Sequence, residues 1–129
     1  MSKDFKKWHT EKCNLHKDKV RPFFHEREVW FASVGTNIGF EQDGRGERLL
    51  RPVILLKKFN NELCWGIPLT KNQKKGKYYF SFSIANAEVS TAILSQIRLI
   101  DAKRLQYKIG DMKESDFVET KKKITQLLA

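Results

Sequence analysis

The sequence is short of most groups that covalent scaffolds and acid–base or metal chemistry require. It has two cysteines, Cys13 and Cys64, in 129 residues. They are too few for a disulfide framework and too far apart for a zinc or redox pair. All three histidines (His9, His16 and His25) lie near the start, so a two-histidine mechanism would depend wholly on that stretch. Residues 29–87 hold only four carboxylates, Glu41, Asp43, Glu47 and Glu62, which argues against a site converging several of them on Mg²⁺. No apolar run exceeds four residues, far below the ~20 needed to cross a bilayer. The opening MSKDFKKWHTEK carries charge with no apolar segment behind it, unlike a secretory signal. P-loop, dinucleotide and nucleophile-elbow motifs are absent from the sequence. The expectation is a soluble cytoplasmic protein with no cofactor, no metal and no membrane partner.

What the sequence does have is positive charge, at +10 overall. It is uneven: residues 45–79 carry nine basic residues against Glu47 and Glu62 alone, whereas residues 29–44 carry only Glu41 and Asp43. Basic residues concentrated beside a rigid sheet are the footprint of a polyanion. Composition is otherwise globular, 40% hydrophobic and 31% charged.

Residues 3–20 place Phe5, Trp8 and Leu15 among lysines at helical spacing, and Arg21-Pro22 ends that helix. Residues 29–34 form a strand closed by Gly35. Residues 35–50, with four glycines, form a long loop. Residues 52–59 and 63–69 are two strands joined at Asn60-Asn61-Glu62, where asparagine tolerates the left-handed backbone of a tight turn. After the lysine-rich turn 71–77, residues 78–84 alternate at the strand period. Residues 89–100 form another strand region, 101–105 a short helical turn and 106–109 a short strand. A last helix is capped by Ser115 and buries Phe117, Ile124 and Leu128, with Lys121, Lys122 and Lys123 toward solvent. Trp30, Trp65 and Phe31 belong to the core, and Arg98 and Asp101 anchor a turn by pairing with each other. Several short strands with a helix at each end predict a mainly β (α+β) fold, a small curved antiparallel barrel-like sheet.

His9, Cys13 and His16 stand at i, i+4 and i+7, but incidental polar residues on a lysine-rich helix explain them better than a metal site. With metal and histidine chemistry disfavoured, arginine, hydroxyls and one carboxylate remain. RNA cleavage suits that set, because RNA supplies its own 2′-hydroxyl nucleophile. The enzyme need only orient it and stabilise the phosphorane, which the planar fork of arginine does well.

Five ordered blocks then become recognisable. They are Arg27-Glu28-Val29-Trp30-Phe31, Asn37-Ile38-Gly39-Phe40-Glu41-Gln42, Arg51-Pro52-Val53-Ile54-Leu55, Ile67-Pro68-Leu69-Thr70, and Leu94 through Asp101. Together they resemble the MazF/PemK-type toxins over about residues 26–128. The resemblance implies an SH3-like barrel, a homodimer, metal-independent sequence-selective cleavage of single-stranded mRNA, and a cognate acidic antitoxin that blocks the site. DNA would be bound only indirectly, through the antitoxin. It divides the chain into an N-terminal extension, 1–25, and a toxin domain, 26–129. Carried over by position, Arg51 and Thr70 match the catalytic pair of the MazF branch, with Glu41 as candidate base and Gln42 beside it. Arg45, Arg48, Lys71, Lys74, Lys75 and Lys77 are the expected RNA-binding residues. The histidine of the PemK branch is Phe40 here, and its arginine and aspartate fall on Ile93 and Ser95, so that branch's acid–base scheme does not transfer. Two alternatives share the fold: a catalytically inactive RNA-binding module, and a topoisomerase poison like CcdB. The latter depends on a tryptophan near its C-terminus, whereas the last tryptophan here is Trp65.

Overall fold

Apolar runs four residues deep need cover on both faces of a strand, and the computed structural model of the chain supplies it. The structure describes residues 21–34, 50–84 and 89–129. In order these form β1 (Glu28–Ser33), β2 (Leu50–Lys58), β3 (Leu63–Thr70), β4 (Tyr79–Ser83), β5 (Val89–Ile93), β6 (Arg98–Asp101), β7 (Leu105–Asp111) and the helix α1 (Glu114–Leu128). The helix expected over residues 3–20, with His9, Cys13 and His16, lies outside the described residues. All pairings are antiparallel. The order is β4-β5-β3-β2-β1-β7, with β6 on β3, so the fold is mainly β and the sheet bends without joining its two end strands.

Alternation along β1–β3 sends residues to two cores. Val29, Ile54, Ile67 and Leu69 meet Phe82, Leu94, Met112 and Phe117 under α1. Trp30, Val53, Leu55 and Cys64 meet Phe24, Ile100 and Leu105 on the opposite side. Gly66 permits this second layer, because a Cβ there would lie 2.5 Å from Ile100 Cδ1. No helix among the described residues is long and apolar enough to cross a membrane.

Several details differ from expectation. The stretch 89–100 is broken by a 3-10 turn at Leu94–Gln96, and β7 is longer than 106–109 because it pairs with β1 from Glu28 to Ala32. Trp65 is 42% exposed and sits edge-on to Phe59 at 5.0 Å; it shares a face with Ile67 but lies near the start of β3, where its cross-strand partners Lys57 and Leu99 are exposed as well. The hairpin turn uses no left-handed asparagine. Instead Asn60 Oδ1 accepts the N–H groups of Glu62 and Leu63 at 2.7 and 2.9 Å. Helix α1 starts before Ser115, after Lys113, with no side-chain cap. It buries Phe117 and Thr120 and half-buries Ile124 and Leu127, leaving Leu128 exposed. At 3.6 residues per turn Leu128 has rotated off the stripe that Leu127 continues. Lys121 and Lys122 face solvent, whereas half-buried Lys123 lies 6.0 Å over Phe80.

Candidate active site

The site begins where β3 changes partners. Leu63 through Gly66 pair with β6, and Leu69 and Thr70 pair with β5. Pro68 falls at the junction and has no N–H to give either neighbour. On the other side, the β2–β3 register starts only at Val53↔Pro68, one residue past Pro52, while Pro52, Arg51 and Leu50 pair with β1. Two prolines thus mark the place where neighbouring strands part. The gap is a cleft of about 560 Å³. Arg51, Thr70, Lys71 and Asn72 supply its polar lining, and Phe31, Pro52, Leu69 and Tyr107 its apolar lining.

Arg51 is only 4% exposed and borders a second cleft of about 400 Å³, lined also by Val34, Pro68, Ser95, Gln96, Arg98 and Leu99. Arg51 therefore borders two depressions. A cation held there acts at reduced dielectric, where its charge counts for more than in water. The neighbourhood adds to the positive field. Arg104 donates from Nη1 to the Ser33 carbonyl at 3.2 Å. Burial lowers its pKa, and repulsion from Arg98 lowers it further against the pull of Asp101.

Thr70 is buried at the end of β3, and its Oγ1 accepts the Asn72 N–H at 3.2 Å. A hydroxyl that accepts in this way keeps its own proton to donate. Lys71 continues the lining. Lys74, Lys75 and Lys77 are exposed on the connection to β4 and line neither cleft; Lys74 lies over Tyr79 at 5.8 Å and Lys77 over Tyr78 at 5.2 Å. Glu41, Gln42, Arg45 and Arg48 lie outside the described residues. Arg51 of β2 is thus brought to one cleft with Thr70 and Lys71 at the end of β3.

Three groups fall elsewhere. Cys64 is buried, its thiol directed at the Ile100 carbonyl at 3.8 Å, and burial pushes its pKa to about 11, with Asp101 adding to the shift. That is the wrong direction for a thiolate nucleophile. Asp101 pairs not with Arg98 but with Arg21, accepting Nε at 3.1 Å and Nη2 at 3.3 Å, and it also caps the 3-10 turn at Ala102–Arg104 through the Lys103 N–H. Arg98 is thereby left to the second cleft. Glu28, buried beside β7, accepts the His25 N–H at 2.8 Å, Trp30 Nε1 at 3.0 Å and Lys108 Nζ at 3.1 Å. Burial alone would raise its pKa, but the hydrogen bonds from Trp30, His25 and Lys108 outweigh it and hold the carboxyl below its ordinary value.

Sequence reasoning missed the apolar wall. Phe31, expected in the core, is half-buried in the cleft with its ring centroid 4.9 Å from that of Tyr107, at 37°. The two residues pair across β1 and β7, a partnership between distant segments that no local pattern announces. In the sequence Gln96 has no role beyond its block, Ser95 only the place where the PemK branch has aspartate, and Arg98 only a turn with Asp101. The break at Ile97, which turns them toward Arg51, has no proline or glycine to mark it.

Residues 25–128 match the model of the family described as PemK-like, MazF-like toxin of type II toxin-antitoxin system. Similar folds occur in MazF from Deinococcus radiodurans, at 17% identity with 85% of this chain and 98% of that chain covered (TM-score 0.68). The Mycobacterium tuberculosis toxin MazF-mt6 is similar at 14% identity, covering 79% and 96% (TM-score 0.61). So is an endoribonuclease in complex with its cognate antitoxin from a mycobacterial species, at 8% identity, covering 82% and 95% (TM-score 0.63). No curated protein matches the sequence.

Proposed function

Because the chain belongs to the PemK-like, MazF-like toxin family of type II toxin–antitoxin systems, we propose that it is an endoribonuclease that cuts single-stranded mRNA at selected sequences without a metal ion. The observation that carries this reading is the convergence of buried Arg51 with Thr70 and Lys71 on one cleft. The 2′-hydroxyl oxygen attacks the adjacent phosphorus, the bond to the 5′-oxygen breaks, and the products are a 2′,3′-cyclic phosphate and a 5′-hydroxyl. Arg51 stabilises the extra negative charge of the phosphorane. It remains protonated, as guanidinium groups do in proteins. Thr70 donates a hydrogen bond from its hydroxyl to a phosphate oxygen. Glu41 takes the proton of the 2′-hydroxyl, and the departing 5′-oxygen takes a proton from water to become the 5′-hydroxyl.

Partners follow from the same surface. One structural relative is an endoribonuclease held by its cognate antitoxin. An acidic, extended antitoxin segment that folds on binding would suit the arginines and lysines around these clefts and compete with RNA. The active form is a cytoplasmic homodimer, and DNA is reached only through the antitoxin.

The deciding experiment uses purified protein free of antitoxin and a pool of single-stranded RNA in excess chelator. Cleavage should continue there, because the sequence has too few carboxylates near Arg51 to hold Mg²⁺. Replacing the 2′-hydroxyl at the cut site by hydrogen should abolish cleavage and leave binding. Cleavage that stops in chelator, or that proceeds on the deoxy strand, overturns the mechanism. Binding without cleavage of any RNA identifies an inactive RNA-binding module instead.

A further inference from the structure

The cleft beside Arg51 has one wall that the cleavage chemistry does not use. Charge stabilisation needs Arg51, Thr70 and Lys71, yet the opposite wall is two aromatic rings. Phe31 and Tyr107 face each other across the β1–β7 ladder at 4.9 Å, tilted by 37°. Tyr107 is 52% exposed, an unusual position for a large ring in a cleft whose other apolar residues are buried or half-buried.

The local backbone accounts for that placement. The β1–β7 register runs Trp30↔Lys108, Phe31↔Tyr107, Ala32↔Leu105, so β7 has one extra residue, Gln106, directly after the aromatic pair. A second shift lies between Val29↔Gly110 and Trp30↔Lys108, where Ile109 is extra. Bulges of this kind bend a strand and re-aim its side chains, and they concentrate beside functional sites. Here two of them bracket Lys108 and Tyr107. Lys108 is tied down by Glu28 at 3.1 Å and Asp111 at 3.2 Å. The segment that carries Tyr107 is therefore held, and its ring is presented to the cleft by a fixed backbone.

A flat apolar wall next to a cationic, hydroxyl-bearing one matches a nucleotide: a base with π faces joined to a phosphodiester. We infer that Phe31 and Tyr107 form a base-stacking subsite, which takes the nucleobase adjacent to the phosphate that Arg51 and Thr70 engage. The inference rests on the endoribonuclease reading and extends it to a part of the cleft that positions substrate. The phosphate side gives no discrimination between bases, because every nucleotide carries the same phosphate. The aromatic wall grips the base itself, and a stacking platform tolerates any base while favouring large ones. Purine at this position should therefore bind more tightly than pyrimidine.

The test measures affinity and turnover separately, on the full-length protein. Binding is followed with a short single-stranded RNA carrying a 2′-deoxy sugar at the cut site, so that it is not consumed. Tyr107→Ala should weaken binding about tenfold, the order expected when one base loses its ring partner. Its kcat at saturating substrate should fall far less than its affinity, since Arg51 and Thr70 remain. Tyr107→Phe should bind like the original protein, because stacking does not use the hydroxyl. An abasic nucleotide at the adjacent position should weaken the original protein as much as Tyr107→Ala does, with no added loss when the two are combined. Tyr107→Leu, which keeps an apolar side chain without a ring, should behave like Tyr107→Ala and so separates stacking from folding defects. Equal RNA affinity in Tyr107→Ala and the original protein overturns the subsite while leaving the nuclease reading intact. Fully additive losses from the abasic site and Tyr107→Ala overturn it as well. An original protein that binds no RNA at all overturns both.

Discussion

Among the described residues two charged side chains are buried, Glu28 and Arg51, and the space around them differs. Glu28 is enclosed by its own fold: a backbone N–H, an indole N–H and a lysine ammonium converge on one carboxylate. Arg51 is buried to a similar degree but borders two clefts. Burial alone thus says nothing about role. A charge saturated by donors from elements it joins acts as a clasp, here between the segment before β1, β1 itself and β7. A charge that borders open volume, with a hydroxyl and an ammonium beside the same volume, is placed to meet a ligand. The comparison predicts that the two residues can be separated by experiment, one failing in activity and the other in stability.

Arg51 should give the largest effect. Arg51→Ala should slow RNA cleavage by at least ~10²-fold, the order seen when a stabiliser of transition-state charge is removed. Arg51→Lys should restore little of it, because a point charge does not reproduce the planar fork. Cleavage rates at saturating RNA, with thermal melts of the same preparations, check this. A melting temperature that collapses in step with activity would place Arg51 with Glu28 as a structural charge.

Glu28 should behave the opposite way. Glu28→Ala leaves the Trp30 indole and the Lys108 ammonium without their shared acceptor. It should cost roughly 2–3 kcal/mol of stability, as expected for hydrogen bonds to a charged group in a buried setting. Denaturant unfolding measures the loss, and RNA cleavage by the folded fraction should be unchanged. Thr70→Val, which keeps the shape and removes the hydroxyl, should come next, with a rate loss of about tenfold if one neutral hydrogen bond to the phosphate is its contribution. A loss as large as that of Arg51→Ala would give Thr70 a part in proton transfer.

How much of this was legible beforehand divides along the same line. The hairpin of β2 and β3 could be read because its apolar runs and asparagine turn are local signals. Arg51 and Thr70 could be singled out only through the ordered blocks of a family resemblance; nothing in Arg-Pro-Val or Pro-Leu-Thr announces chemistry by itself. Glu28 was quoted inside such a block and given no role, because Lys108 joins its local partners His25 and Trp30 only when β7 pairs with β1. Tyr107 was missed for the same reason, compounded by the bulges, which break the period-2 pattern that would have assigned its face. Trp65 is different. Alternation puts it on the face of buried Ile67 and Leu69, and its exposure follows only from where the core under that face ends, beside Lys57 and Leu99.

The smallest expected effect is also the one that most directly tests whether the Glu28 clasp is electrostatic. Its donors hold the folded-state pKa below the ordinary carboxylate value, against the opposing effect of burial. A carboxyl with a depressed pKa binds fewer protons folded than unfolded. Its contribution is therefore fully present above the unfolded pKa, near 4.3, and is lost as pH falls through the lower folded value. Glu28→Gln keeps the size of the side chain and one acceptor for Trp30 but cannot ionise. The stability gap between the original protein and Glu28→Gln should be constant from neutral pH to about 5 and then narrow as the solution is acidified. Asp101, held low by Arg21 and Lys103 against the effect of burial, titrates in the same direction, but it is common to both proteins and cancels in the difference. Urea midpoints of the pair across this range supply the measurement. A gap that stays constant below pH 4 would mean that the clasp works through shape and neutral hydrogen bonds, and the contrast with Arg51 would then be one of packing rather than of charge.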